Sequence, residues 1–214
     1  NPGDEVVIPA PYWVSFPEIV ELTGATPIVV TTQIENGYKM TPAELERTMS
    51  PATKWVVLNS PSNPTGSVYS SDELKELGSV LERFPHAWVM ADDLYEHLNF
   101  AEQPFTTFAQ AVPSMIDRIL TVNGVSKSHA MTGWRVGYAG GPPALIKAME
   151  ALQGQQTTGI CSIAQWAAVE ALEGPQDFIP SSRAVFRERR DIVVDILGRA
   201  DHLRCPRPDG AFYV

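Results

Sequence analysis

Trp55-Val56-Val57-Leu58, then Asn59-Ser60-Pro61-Ser62-Asn63-Pro64-Thr65-Gly66, then Ser70-Ser71-Asp72-Glu73 reads as a strand, a stiff loop and a helix start, in that order. The first four residues are an unbroken apolar run, the pattern of a strand buried on both faces. Two X-Pro steps and a Gly hold the loop extended and present its Asn side chains at the strand end. Ser70 with Glu73 three residues on has capping-box spacing, and Leu74, Leu77 and Leu81 continue it as an apolar helical stripe.

The same alternation runs outward in both directions. Val6–Ile8, Pro27–Thr32, Trp88–Ala91 and Ile119–Val122 are further short apolar runs of strand character. Thr41-Pro42-Ala43-Glu44 carries a second capping pattern, with Pro at the first helical position. From Pro143 onward longer helical segments are expected over Pro143–Leu152, Ile163–Leu172 and Ser182–Leu197. The last contains Arg187-Glu188-Arg189-Arg190-Asp191, a charge run expected to be a solvated helix face. Strand–helix alternation predicts an α/β fold with a mostly parallel sheet flanked by helices on both faces. In such sheets ligands bind where strands end and helices begin, so the unusual residues just after the strands are the candidates.

Composition narrows the function classes. Lys plus Arg number 16 against 25 Asp plus Glu among 214 residues, a net charge of −9, which lacks the basic footprint of a nucleic-acid binder. No apolar run approaches the ~20 residues that span a bilayer. Cys161 and Cys205 are too few for a disulfide framework or a four-thiolate zinc site, so a reduced, cytoplasmic setting is expected. The chain starts at Asn1 without Met and stops in Ala211-Phe212-Tyr213-Val214, which reads as another strand. A strand cut at its end leaves unpaired edge groups, so an internal piece of a longer protein is expected.

Four clusters follow the strands, and each has an ordinary structural reading beside a functional one. Pro9-Ala10-Pro11-Tyr12-Trp13 offers aromatics that either stack on a flat ligand or fill core. The 59–66 loop is either a presenting loop or a Pro-rich turn. Asp92-Asp93-Leu94-Tyr95-Glu96-His97 begins with a carboxylate ending an apolar run, which needs a cation or serves as a helix cap. A Mg²⁺-binding reading of Asp92, Asp93 and Glu96 would need a helix there, and the strand pattern before Asp92 opposes it. Ser126-Lys127 and Arg135 come last. An amine held in a partly desolvated cleft suits Schiff-base chemistry, and Ser126 with Arg135 suits an anion such as phosphate.

The order and spacing of these clusters resemble the class I aminotransferases, pyridoxal-phosphate enzymes of the aspartate aminotransferase fold (fold type I). The matching stretches are Pro-Gly-Asp-Glu (2–5), Pro-Tyr-Trp (11–13), Asn-Ser-Pro-Ser-Asn-Pro-Thr-Gly (59–66) and Asp-Asp-Leu-Tyr-Glu-His-Leu (92–98). Ser-Lys-Ser-His-Ala-Met-Thr-Gly-Trp-Arg-Val-Gly-Tyr (126–138) and Pro-Asp-Gly-Ala-Phe-Tyr (208–213) complete the set. The 126–138 block is most similar to the bacterial aspartate/prephenate subgroup.

The resemblance implies that Lys127 forms the Schiff base and shuttles the proton, and that Asp92 pairs with the pyridinium nitrogen. It implies that Tyr95 and Asn63 hydrogen-bond the ring's phenolic oxygen, Ser126 and Arg135 hold the phosphate, and Trp13 stacks on the ring. Residues 1–174 would be part of the cofactor-binding large domain, and 175–214 a long connecting helix and the start of a small domain. It further implies α-amino acid and 2-oxo acid substrates, with aspartate or a similar amino acid as donor. A homodimer with residues 155–162 facing the partner is implied too, with neither nucleic acid nor membrane as partner. Gly124 departs from relatives that carry a phosphate-binding Ser there. The same cofactor would also serve a C–S lyase or an aminocyclopropane-forming enzyme, and an aminotransferase-like sensor domain of a transcription regulator is a further alternative.

Overall fold

Parallel pairing favours strands covered on both faces, and the central strands of a six-stranded sheet are the buried ones here. In a computed structural model describing residues 1–214, the six strands are β1 (Glu5–Ala10), β2 (Thr26–Thr31), β3 (Thr53–Asn59), β4 (Trp88–Asp92), β5 (Ile119–Gly124) and β6 (Gly137–Gly140). They form one sheet in the order β2-β1-β3-β4-β5-β6. The first five are parallel, and β6 returns antiparallel beside β5 with Gly137 opposite Gly124. Chain order reverses across β1, which lies between β2 and β3, so a crevice opens at the carboxyl ends of β1 and β3.

The helices are α1 (Ser15–Leu22), α2 (Pro42–Thr48), α3 (Ser71–Leu81), α4 (Phe108–Ala111), α5 (Val125–Ser128), α6 (Pro143–Gln156), α7 (Ser162–Glu173) and α8 (Phe178–Leu197). Both expected capping boxes are made: Thr41 with Glu44 and Ser70 with Glu73. Side-chain alternation divides the strands between two cores. Val7, Val56, Leu58, Val89, Ala91 and Ile119 face the larger core under α2, α3 and α4. Val6, Ile8 and Val57 face the smaller one under α1. No helix is long and apolar enough to cross a membrane.

α3 and α4 approach so closely that a Cβ built on Gly78 would lie 2.6 and 2.7 Å from the two γ-methyls of Val112. Alanine in a helix interior normally gains up to about 1 kcal/mol over glycine. A stiff β-branched neighbour cannot yield that space, and overpacking costs about 1–3 kcal/mol. Gly78→Ala is therefore expected to lower stability in urea unfolding; a more stable variant would show that the two helices part freely.

Four sequence expectations change. Ala211–Val214 is not a strand: Gly210 makes a single antiparallel bridge with Asn99, and the chain then turns. β6 and α1 were not anticipated, because Gly-Tyr-Ala-Gly has no apolar alternation and α1 directly follows the aromatic cluster. The long helix starts at Phe178, four residues before the expected Ser182. Within the charge run Arg190 is not solvated; its side chain is 9% exposed, pairs with Asp191 at 2.8 Å and donates to the Pro208 carbonyl at 2.8 Å. Apolar packing over Phe100 (5.0 Å to the ring) draws its guanidinium inward.

Candidate active site

β3 and β4 end on a common rung, Asn59 opposite Asp92, with Val122 of β5 opposite Asp92 two residues before β5 ends. The Asn59 amide donates to the Asp92 carbonyl at 3.1 Å, and its Oδ1 accepts the Asn63 N–H at 2.7 Å. The Pro-stiffened loop thus folds back over its own strand end and brings Asn63 to β4. Asp92 has the parity of Met90, so it projects on the α1 face. There it shares with Trp13, Met90 and Val122 an open cleft of about 620 Å³. Burial strips water from the Asp92 carboxyl and pushes it above the usual carboxylate range, partly offset by the Leu94 N–H at 3.2 Å; no cation acts on it.

Tyr95 follows one turn beyond β4 and is buried. Lys127, on the single-turn α5 after β5, places its Nζ 5.8 Å from the centre of the Tyr95 ring and 5.6 Å from that of Phe212. The Tyr95 hydroxyl lies 2.7 Å from that of Tyr213. Burial holds the Tyr95 phenol well above its ordinary range, with Tyr213 and Asp92 adding to the effect and Asn63 opposing it. Asn63 is thus tied to Asp92 through Asn59, and Lys127 stands over the Tyr95 ring, so the four residues lie around the ends of β3, β4 and β5.

Trp13 is exposed, stands edge-on to Phe16 at 5.4 Å and joins the group through the cleft it shares with Asp92. Ser126 is half-buried beside Lys127 on α5. Arg135 is exposed at the start of the return to β6, with a left-handed backbone (φ 56°), and donates to the Thr132 carbonyl at 3.0 Å. It opens into a separate cleft with Trp134, Thr157 and Cys161. The antiparallel pairing of β5 and β6 returns residues 132–134 beside α5, but Arg135 lines its own cleft and makes no hydrogen bond with Ser126.

Phe212 and Tyr213 are the residues that sequence reasoning missed. Gly-Ala-Phe-Tyr stood among the matching stretches, yet its spacing says nothing of contact with Lys127, more than 80 residues away in the chain. Asp93 is the second omission: it is 3% exposed, and its Oδ2 has no hydrogen-bond partner. Burial, with Glu96 and Asp92 nearby, pushes its carboxyl up to about 8. Between pH 4 and about 8 the folded chain then holds a proton the unfolded chain has released, so stability falls as pH rises through that window. Asp93→Asn is expected to remove this slope and gain at least about 1 kcal/mol at pH 9 relative to pH 5 in urea unfolding. An unchanged slope would locate the pH dependence elsewhere.

The chain matches the family described as aminotransferase class I and II over residues 1–214. It is 57% identical over its whole length to a probable aspartate/prephenate aminotransferase of Rhizobium leguminosarum bv. phaseoli, covering 54% of that protein. It is 56% identical to an aspartate/prephenate aminotransferase of Cereibacter sphaeroides, again over the full chain and 54% of the relative. The crystal structure of the aspartate aminotransferase from Rhizobium meliloti superposes with a TM-score of 0.97 at 49% identity, over 99% of this chain and 53% of that one. The chain thus spans about half the length of the relatives it matches. With the strand-end cluster and these likenesses together, the chain belongs to the class I and II aminotransferases, whose cofactor is pyridoxal phosphate.

Proposed function

We propose that the full protein transfers an amino group between an α-amino acid, aspartate or one like it, and a 2-oxo acid, with this chain holding the cofactor. The observation that carries this reading is the half-buried Asp92 carboxyl, raised by desolvation with no cation acting on it and sharing a cleft with Trp13, while Lys127 stands over the ring of nearby Tyr95. A buried carboxylate needs a charged partner, and a protonated pyridine nitrogen is one of the right shape. When bound, pyridoxal phosphate supplies an electron sink for the substrate's Cα.

The residues divide the remaining work. Asp92 keeps the ring nitrogen protonated. Tyr95 and Asn63 offer hydrogen bonds to the ring oxygen, and Trp13 covers a ring face. Ser126 and Arg135 would hold the phosphate, Arg135 through its forked donors. Lys127 would anchor the group and would move the proton at the substrate's Cα as a general acid–base. The names of the relatives support aspartate as donor. Residues 1–174 would form most of the cofactor-binding domain, and 175–214 the helix and turn leading to a second one. We propose that a second copy of the chain packs against residues 155–162 and the adjoining start of α7, where Ile163 and Trp166 are 71% and 74% exposed.

The reading is tested by adding pyridoxal phosphate to the full-length protein, desalting, and recording the absorption spectrum beside Lys127→Ala. A retained visible band in the parent alone, bleached by aspartate with release of the 2-oxo acid, is the expected result. Ammonia and pyruvate formed without an acceptor would point to a lyase. No band in the parent would overturn the cofactor assignment.

A further inference from the structure

A phenol has one proton to give and two lone pairs to receive with. Tyr95 is 4% exposed and its hydroxyl faces that of Tyr213 at 2.7 Å, an arrangement in which either is the donor. The turn that carries Tyr213 is firmly held. Asp209 and Gly210 donate their N–H groups to the Gly66 carbonyl at 3.0 and 2.8 Å, and Ala211 donates to Leu98 at 2.9 Å. Gly66 has a left-handed φ of +67°, and a Cβ there would fall 2.7 Å from the Gly210 carbonyl oxygen, so only glycine permits this approach. Arg190 grips the same turn through Pro208. The loop that bears Asn63 and the turn that bears Tyr213 are thereby one rigid unit around Tyr95.

We infer that Tyr213 is a positioning residue: it donates to the Tyr95 hydroxyl oxygen and so directs the Tyr95 proton toward the ring oxygen of bound pyridoxal phosphate. This rests on the cofactor reading above. A hydroxyl that accepts one hydrogen bond becomes a better donor of the next. The chain Tyr213 to Tyr95 to ring oxygen therefore favours the anionic ring oxygen more than Tyr95 alone does. The titratable groups facing Tyr95 are Asp92 from β4, Lys127 from α5 and Tyr213 itself; Arg190 of α8 touches Phe100 and the Pro208 carbonyl rather than Tyr95.

The experiment is a pH titration of the visible absorption band of the full-length, cofactor-loaded protein, which reads ionisation at the ring and not turnover. Tyr213→Phe is expected to raise the midpoint by about 0.5–1 pH unit, the size of one neutral hydrogen bond. Tyr95→Phe is expected to raise it further, and the double substitution no further than Tyr95→Phe. Tyr213→3-fluorotyrosine, nearly the same size but a more acidic donor, is expected to move the midpoint down. Opposite signs from two substitutions at one position would not arise from loosened packing, and the second keeps the test open should Tyr213→Phe not fold. A loaded protein whose midpoint ignores both substitutions, or shifts that add in the double variant, overturns the inference. A parent protein with no visible band overturns the cofactor reading and this inference with it.

Discussion

Lys127→Ala in the full-length protein is expected to lower kcat by at least about 10⁴-fold, the upper end of what a positioned general base supplies. Lys127 also has an anchoring role that alanine cannot share. Four other lysines exist, and none can substitute. Lys39 is paired with Glu73 and Lys75 with Asp72, Lys54 lies at the start of β3, the opposite end of the strand from Asn59 and Asp92, and Lys147 lies on α6. Only Lys127 has its Nζ against Tyr95 and Phe212. Far-UV circular dichroism should match the parent, because Lys127 is half-buried on a single-turn helix and its amine meets Tyr95 and Phe212 only at 5.6–5.8 Å from their ring centres. Near-parent turnover in this variant would remove Lys127 from the chemistry.

Asp92→Asn is expected to cost about 10²–10³-fold in kcat/KM, the loss associated with removing one preorganised electrostatic partner. The substitution is nearly isosteric and leaves the Asn59 bond intact, since that bond goes to the Asp92 backbone carbonyl. What it removes is a negative charge in a desolvated place, where its attraction for a ring cation is far stronger than in water. The cofactor-free protein should respond in the opposite sense. Because burial raises the Asp92 carboxyl, ionising it opposes folding above the ordinary carboxylate range, and the neutral amide relieves this. Weaker cofactor affinity together with equal or greater apo stability near pH 8 is the diagnostic pair. A variant with lower stability and unchanged affinity would make Asp92 a structural cap.

Much of the fold was legible along the chain because its signals are local. The apolar run at Trp55–Leu58, the caps at Thr41 and Ser70 and the stripe at Leu74, Leu77 and Leu81 each depend on residues a few positions apart. The sheet's weak members were not legible. β6 has glycine at both ends and exists because β5 offers it an edge. Arg190 sits in a charge run that reads as solvated, and only the return of residues 206–210 encloses it.

The site divides in the same way. Asn63, Asp92, Tyr95 and Lys127 were identifiable as strand-end residues of unusual chemistry, and their motifs pointed to a common ligand. The sequence by itself determined the residue types, their order and the alternation that puts them at one sheet edge. Tertiary structure decided which of them touch. The register of β3 on β4 sets Asn59 beside Asp92, the close approach at Gly66 brings Tyr213 to Tyr95, and burial leaves Asp93 without a partner for one oxygen. The first two are contacts between segments distant in sequence, and the third is the enclosure that such contacts produce. Spacing along a chain encodes which face a residue takes, whereas the distance between two faces is set only when the sheet and its loops close over them.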